Sequence, residues 1–205
     1  MGLIRVVFRQ SFAHVETYAA QWSASNEQAL TGEGPLWVVL GDSAAQGVGA
    51  SAYDRGWVGI VRDRLIARDG QPWRVLNLSR SGATTRELLE QQLPDARGVD
   101  AALITAVVGG NDARRTRKEQ WLRDVDDLVA ALPPDAVVAT TARGLFERKT
   151  RVVNAHLRQH AMQRGMRVAD LWQHTGPPYR GLFFDGLHPN DRGYVQWADA
   201  VWAAL

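Results

Sequence analysis

Two short motifs in the sequence carry the residue types that acyl transfer from an ester requires. Gly41-Asp42-Ser43 follows an apolar run, and Asp185 stands three positions before His188. Acyl transfer needs a hydroxyl nucleophile, a neutral imidazole as its base, and a carboxylate that orients the imidazole. Three positions span about one helical turn, so a helix there would direct Asp185 and His188 to the same side. The motifs predict Ser43 as nucleophile, with His188 as base and Asp185 as the orienting acid.

Two other positions offer hydrogen-bond donors for the oxyanion that forms during such a reaction. Gly82 follows the second apolar run, and a glycine lets the backbone N–H approach a substrate closely. Asn111 follows the third apolar run, and its side-chain amide donates hydrogen bonds without burying a charge. Both residues therefore suit an oxyanion hole.

The elements that must position these residues alternate regularly from residue 35 onward. Apolar runs that predict strands lie at residues 36–40, 74–78, 101–108, 136–140 and 167–171. Stretches that predict helices lie at about residues 57–68, 84–93, 116–132, 150–163 and 191–204. Capping-box patterns begin at Thr84 and at Thr116. This alternation predicts a three-layer α/β/α sandwich, with a doubly wound, parallel, five-stranded sheet that has helices on both faces.

The motifs should meet at one edge of that sheet. Ligands of an open parallel sheet bind beyond the carboxyl ends of its strands. Residues 41–49, 79–84 and 109–112 directly follow the first three strands, and residues 185–189 follow the fifth after a long loop. We therefore expect the four blocks to form one site.

In this order, the four blocks resemble the SGNH hydrolases, also called the GDSL esterase/lipase family. The resemblance implies the SGNH hydrolase fold, which is flavodoxin-like, and Ser43 as the nucleophile of the GDS motif. It implies oxyanion donors from the backbone of Ser43 and Gly82 and from the side chain of Asn111. It also implies that Asp185 and His188 form the D-x-x-H motif of the family, with His188 as general base.

The resemblance covers residues 36 to about 200 and has one departure, Ala44, where the name-giving motif has leucine. It predicts a serine ester hydrolase that acts on small acyl esters through an acyl-enzyme on Ser43, without cofactor or metal. An acyltransferase to a sugar or thiol acceptor would use the same residues. A non-catalytic, flavodoxin-like module could instead hold phosphate at Gly47-Val48-Gly49, but the phosphate motifs G-K-[ST] and G-x-G-x-x-G are absent.

Composition narrows the partners and the domain organisation. A net charge of +2 is too small to indicate nucleic acid or an anionic membrane as a partner, and the absence of cysteine excludes thiol nucleophiles and disulfides. No apolar run reaches the ~20 residues of a membrane span, and no signal-peptide pattern opens the chain, so a cytoplasmic location is expected. Residues 1–34 are interpreted as a partly helical N-terminal extension and residues 35–205 as the hydrolase domain.

A run of basic residues and a pair of histidines could each bind a ligand, but each also has a purely structural interpretation. Arg114, Arg115, Arg117 and Lys118 follow Asn111; such a run usually forms a solvated turn, although it could attract an anionic substrate. His156 and His160 are four positions apart on one predicted helix, which is a metal-binding spacing. Since no third ligand stands nearby in the sequence, a solvated helix face is the expectation.

Overall fold

The computed structural model describes residues 2–144 and 146–205, with side chains described from residue 13 onward. Within this part of the chain, one sheet contains the parallel strands β1 (Leu36–Gly41), β2 (Arg74–Asn77), β3 (Leu103–Val107), β4 (Val137–Ala139) and β5 (Arg167–Ala169). The strand order is β2-β1-β3-β4-β5, the flavodoxin-like order of a doubly wound sheet. The predicted fold class is therefore confirmed, and the point where the order reverses lies between β1 and β3.

The helices follow the predicted alternation, with three short additions. The longer helices are α1 (Gly2–Thr31), α2 (Trp57–Asp69), α3 (Thr85–Gln91), α6 (Lys118–Ala131), α7 (Glu147–Gln163) and α9 (Asp191–Trp202). The additions are α4 (Leu93–Ala96), α5 (Gly110–Arg115) and α8 (Leu171–His174). Helices of four to six residues are too short to show a helical period, so periodicity does not detect them.

One predicted capping box is present and the other is wrong. The Thr84 side chain accepts a hydrogen bond from the backbone N–H of Glu87, and the Glu87 carboxylate accepts one from the Thr84 N–H at 2.7 Å. At the second pattern the N-cap is Arg117, which makes no side-chain cap. Thr116 instead ends α5, and its hydroxyl donates to the buried Asp112 at 3.2 Å. Asp112 of the preceding helix has therefore taken the hydroxyl that the sequence pattern assigned to the following helix.

Alternate residues of β1 contribute to the two apolar layers that cover the sheet. Trp37 and Val39 lie in the layer beneath α2 and α9, whereas Val38 and Leu40 lie in the layer beneath α3, α6 and α7. All four are fully buried, as a strand covered on both faces requires. The sheet thereby gives a rigid base to the loops at its carboxyl edge.

The helix α1 packs along the β2 edge of the sheet. Its buried Tyr18 donates to the carbonyl oxygen of Ala50 at 2.9 Å, and its buried Trp22 donates to that of Gln46 at 3.1 Å. The Asn26 side chain bonds both the N–H and the carbonyl oxygen of one β2 residue, each at 2.8 Å. No helix in the described part of the chain is both long and apolar enough to span a bilayer.

Candidate active site

Ser43 lies in a tight turn directly after β1. The Asp42 carboxylate accepts the N–H of Ala44 at 3.0 Å, which fixes the turn around Ser43. The N–H groups of Gly47 and Val48 bond to the carbonyl oxygens of Ala44 and Ser43. Because these N–H groups bond within their own loop, they do not form the phosphate cradle of the non-catalytic alternative.

The structure brings the residues of the two motifs into one hydrogen-bonded chain. His188 Nε2 lies 3.0 Å from Ser43 Oγ, and His188 Nδ1 lies 2.7 Å from Asp185 Oδ2. The Asp185 side chain is only 4% exposed. A carboxylate at Nδ1 favours the neutral tautomer with its proton on that nitrogen, which leaves Nε2 free to accept the serine proton.

The segment that carries Asp185 and His188 is not helical, which corrects the expectation of a helical turn. One oxygen of Asp185 accepts the backbone N–H of Leu187 at 2.9 Å and that of His188 at 2.7 Å. Gly186 has a φ of 82°, in the left-handed region. The carboxylate therefore bends its own backbone with one oxygen and orients the imidazole with the other.

A glycine in the nucleophile loop allows the His188 segment to approach. Gly49 has a φ of 98°, and a Cβ at this position would lie 2.4 Å from the carbonyl oxygen of Pro189 and 3.0 Å from His188 Cβ. The buried phenol of Tyr194 donates to the carbonyl oxygen of Val48 at 2.6 Å. Burial also raises the pKa of Tyr194 well above its ordinary value, so the phenol remains a donor.

The three proposed oxyanion donors are not equally exposed to the cavity. Asn111, in α5 beyond β3, donates through Nδ2 to the carbonyl oxygen of Ala83 at 3.1 Å and approaches Asp42 Oδ2 at 3.5 Å. Among the described residues, the N–H groups of Ser43 and Gly82 have no hydrogen-bond acceptor. Ser43 and Asn111 line the cavity that opens at this edge of the sheet, but Gly82 does not. Gly82 is next in sequence to Ala83, whose carbonyl oxygen accepts the Asn111 side chain.

A buried acid lies beneath the nucleophile. Burial raises the pKa of Asp42 to about 6, while the Ala44 N–H and the nearby His188 act in the opposite direction and Asp112 adds to the increase. Asp42 therefore carries a carboxyl group whose ionisation is unfavourable in the folded protein.

A cavity of about 770 Å³ opens at this edge of the sheet and contains Ser43 and His188. That volume is typical of small-molecule sites. Much of the lining is apolar or aromatic and includes Phe146, Leu171, Tyr179, Phe183, Leu187 and Trp197.

Three arginines from separate segments also line the cavity, namely Arg114 of α5, Arg143 and Arg180. Only Arg114 belongs to the basic run that follows Asn111. Arg115 donates instead to the carbonyl oxygen of Gly82, and Lys118 pairs with Glu119.

The histidine pair on α7 differs from the solvated face that the sequence predicted. His156 and His160 are both half-buried, and both contact Asp126 of α6. Sequence proximity could not reveal this acid, because Asp126 lies 30 positions before His156.

Comparison with known proteins identifies a matching family and solved structures with the same fold. The model of the GDSL-like lipase/acylhydrolase family matches residues 39–196, a range that includes all five predicted site residues. No curated protein matches the sequence significantly.

Three solved structures with the same fold are TesA, the hydrolase LAE5 and the esterase Axe2. TesA is 23% identical, with 83% of this chain and 97% of that chain covered and a TM-score of 0.70. LAE5, an alpha/beta hydrolase enzyme from the metagenome of Lake Arreo, is 23% identical, with coverages of 83% and 94% and a TM-score of 0.66. Axe2, an acetylxylan esterase from Geobacillus stearothermophilus, is 18% identical, with coverages of 84% and 94% and a TM-score of 0.67.

Proposed function

The chain belongs to the GDSL-like lipase/acylhydrolase family and is an ester-hydrolysing enzyme, and from this premise we propose that it cleaves small acyl esters through an acyl-enzyme on Ser43. The observation that carries the proposal is the contact chain from Ser43 through His188 to Asp185, at 3.0 and 2.7 Å. Nucleophile, base and orienting acid are within hydrogen-bond reach of one another before substrate binds.

The first half of the reaction transfers the acyl group to the enzyme. Ser43 Oγ attacks the ester carbonyl carbon while its proton moves to His188 Nε2. Asp185 stabilises the imidazolium that results. When the tetrahedral intermediate collapses, the bond to the alcohol oxygen breaks and His188 returns the proton to that oxygen. Water then repeats the sequence on the acyl-enzyme, and the carboxylic acid leaves.

The oxyanion is assigned to the N–H groups of Ser43 and Gly82 and to Asn111 Nδ2. One hydrogen of the Asn111 amide has a good acceptor in Ala83, whereas the contact with Asp42 is long. The second hydrogen is therefore available to an oxyanion that offers a shorter, charge-assisted bond. Gly82 would contribute its backbone N–H, which has no acceptor among the described residues.

The cavity lining suggests what kind of ester fits. Phe146, Phe183 and Trp197 suit an apolar acyl or alcohol group, unlike the polar polysaccharide named for Axe2. The three arginines suit a carboxylate or phosphate elsewhere on the same substrate. We therefore propose a small ester that carries both an apolar part and an anionic group.

The test is turnover of p-nitrophenyl acetate and butyrate by the wild type and by Ser43→Ala. We expect the variant to lose at least roughly 10⁴-fold in kcat, because only the nucleophilic oxygen is removed. A fluorophosphonate probe should label Ser43 in the wild type, as detected by peptide mass. Labelling at another serine, or turnover that survives in the variant, would contradict the proposal.

The same assay separates hydrolysis from acyl transfer. A sugar or thiol acceptor is added, and the acylated acceptor is quantified beside the free acid. We expect the free acid to remain the main product. A main product on the acceptor would make the enzyme an acyltransferase with the same catalytic residues.

A further inference from the structure

Three metal-ligating side chains meet between α6 and α7, away from the catalytic residues. Asp126 Oδ1 lies 2.6 Å from His156 Nε2 and 3.1 Å from His160 Nδ1. One ligand atom from each residue lies within 4.8 Å of the others. We propose that Asp126, His156 and His160 bind a divalent transition-metal ion, with Zn²⁺ as the ion that fits best.

The positions of the three side chains are fixed by the packing of the two helices. Residues four apart on α7 lie on one face, and the rings of His156 and His160 are 4.1 Å apart at their centroids. Leu157 of α7 and Val125 of α6, each next in sequence to a ligand, are buried in the same apolar layer. The backbone under the three ligands is therefore held by the core, while the ligand side chains remain half-buried and accessible.

The donor set matches zinc chemistry. Imidazole nitrogens and a carboxylate are ordinary Zn²⁺ ligands, with bonds of about 2.0–2.2 Å and tetrahedral angles. Such ligand atoms stand about 3.3 Å apart. The observed separations from Asp126 are shorter, so small rotations of half-exposed side chains would admit the ion. A water molecule would complete the fourth position.

The two histidines share one acceptor, and a metal ion could replace the protons in both contacts. A single oxygen of Asp126 approaches both imidazoles, and neither ring nitrogen in question has another protein partner among the described residues. A cation between the three would use the lone pairs of both nitrogens and of the carboxylate together. Both histidines would then need to be neutral at the liganding nitrogen.

A bound ion would crosslink two helices that support the active-site cavity. The Asn154 side chain of α7 bonds both the N–H and the carbonyl oxygen of Thr141, each at 2.9 Å. Thr141 lines the cavity, whereas Asp126, His156 and His160 do not. We therefore expect the ion to stabilise the fold rather than to take part in ester cleavage.

The test uses the full-length chain without an affinity tag, treated with chelator and titrated with ZnCl₂ by calorimetry. We expect one ion per chain, and a rise in Tm of about 5–10 °C when free Zn²⁺ exceeds Kd about a hundredfold. His156→Gln combined with His160→Gln should lose both effects, and so should Asp126→Asn combined with His160→Gln. His174→Gln is the matched control, because His174 is an exposed histidine outside the cluster.

Two further readouts exclude trivial explanations. Metal-free His156→Gln/His160→Gln should match the wild type in circular dichroism and in ester hydrolysis, which shows that the fold is intact. Cu²⁺ bound to the wild type should show nitrogen couplings from two imidazoles in electron paramagnetic resonance, reduced to one in His160→Gln. Zn²⁺ binding of equal affinity in the double variant and the wild type would overturn the proposal, since the ion would then sit elsewhere, for example on His188.

Discussion

The candidate active site is assembled from two regions that are positioned by different physical means. Ser43 and Asn111 lie just past β1 and β3, the two strands at the reversal of strand order, so the buried sheet fixes their places. Asp185 and His188 belong to a long irregular segment between α8 and α9, held by hydrogen bonds of side chains to backbone. We expect the fold of the sheet region to tolerate the loss of Ser43 or Asn111 better than the loop tolerates the loss of Asp185, because the strands hold the backbone of the sheet region.

The largest expected effect is in the loop region. Asp185→Asn keeps an oxygen that can accept the N–H groups of Leu187 and His188, but it places an amide opposite His188 Nδ1. The wrong tautomer of His188 would then face Ser43, and kcat should fall by about 10⁴-fold.

The comparison is sharpened by Asp185→Ala, which also removes the bend. We expect Asp185→Ala to lower Tm further than Asp185→Asn, while both lose similar activity. Equal Tm values for the two variants would show that the carboxylate does not hold the loop.

A smaller effect is expected in the sheet region. Asn111→Ala removes one oxyanion donor while α5 and β3 stay in place, so kcat should fall by roughly 10²–10³-fold with KM nearly unchanged. Steady-state kinetics on a neutral ester provide the measurement. A rise in KM at constant kcat would instead identify Asn111 as a group that binds the ground state.

The buried acid of the sheet region gives a prediction about stability and pH. Burial raises the pKa of Asp42 from 3.8 to about 6, so its contribution to stability is present below about pH 4 and is lost as pH rises through 6. Relative to Asp42→Asn, the wild type should lose about 2.5 kcal/mol of unfolding free energy between pH 4 and pH 7.5. Urea unfolding of both proteins at the two pH values measures this. A difference that does not change with pH would mean that Asp42 ionises normally.

The smallest expected effect concerns the arginines that line the cavity. Arg114→Ala combined with Arg180→Ala should lower kcat/KM for an anionic ester by about fivefold, the equivalent of about 1 kcal/mol for exposed charges. A neutral ester of equal acyl length should be unaffected, and added salt should reduce the difference. Arg117→Ala is the control, since Arg117 does not line the cavity. Equal losses of kcat/KM for both esters would show that these arginines do not select for substrate charge.

The sheet region could be predicted from the sequence because its signals are local. Buried strands appear as apolar runs, and the Thr84 capping box satisfies its helix with residues three positions apart. The parallel direction of the strands, and with it the edge that carries the site, follow from the alternation of strands and helices. For the same reason, the loops after β1 and β3 were predicted to meet.

The remaining features depend on contacts that spacing does not encode. Three positions separate Asp185 and His188 in a helix and in a bend alike, and the choice rests on the carboxylate and on Gly186. The metal-ligating cluster needs α6 to lie beside α7, which brings Asp126 to His156 across 30 positions. Such pairings are visible only once the helices are packed.

The Asn26 contact on β2 has a consequence for how far the sheet can grow. A side-chain amide presents one donor and one acceptor, the same pair that a backbone residue of a neighbouring strand would present. By bonding the N–H and carbonyl oxygen of Asn77, Asn26 occupies the place of a sixth strand with a single residue. Free strand edges template the addition of further chains and so promote aggregation. Asn26 therefore removes one pairing position from this edge, and we expect it to disfavour the addition of another chain there, independently of ester chemistry.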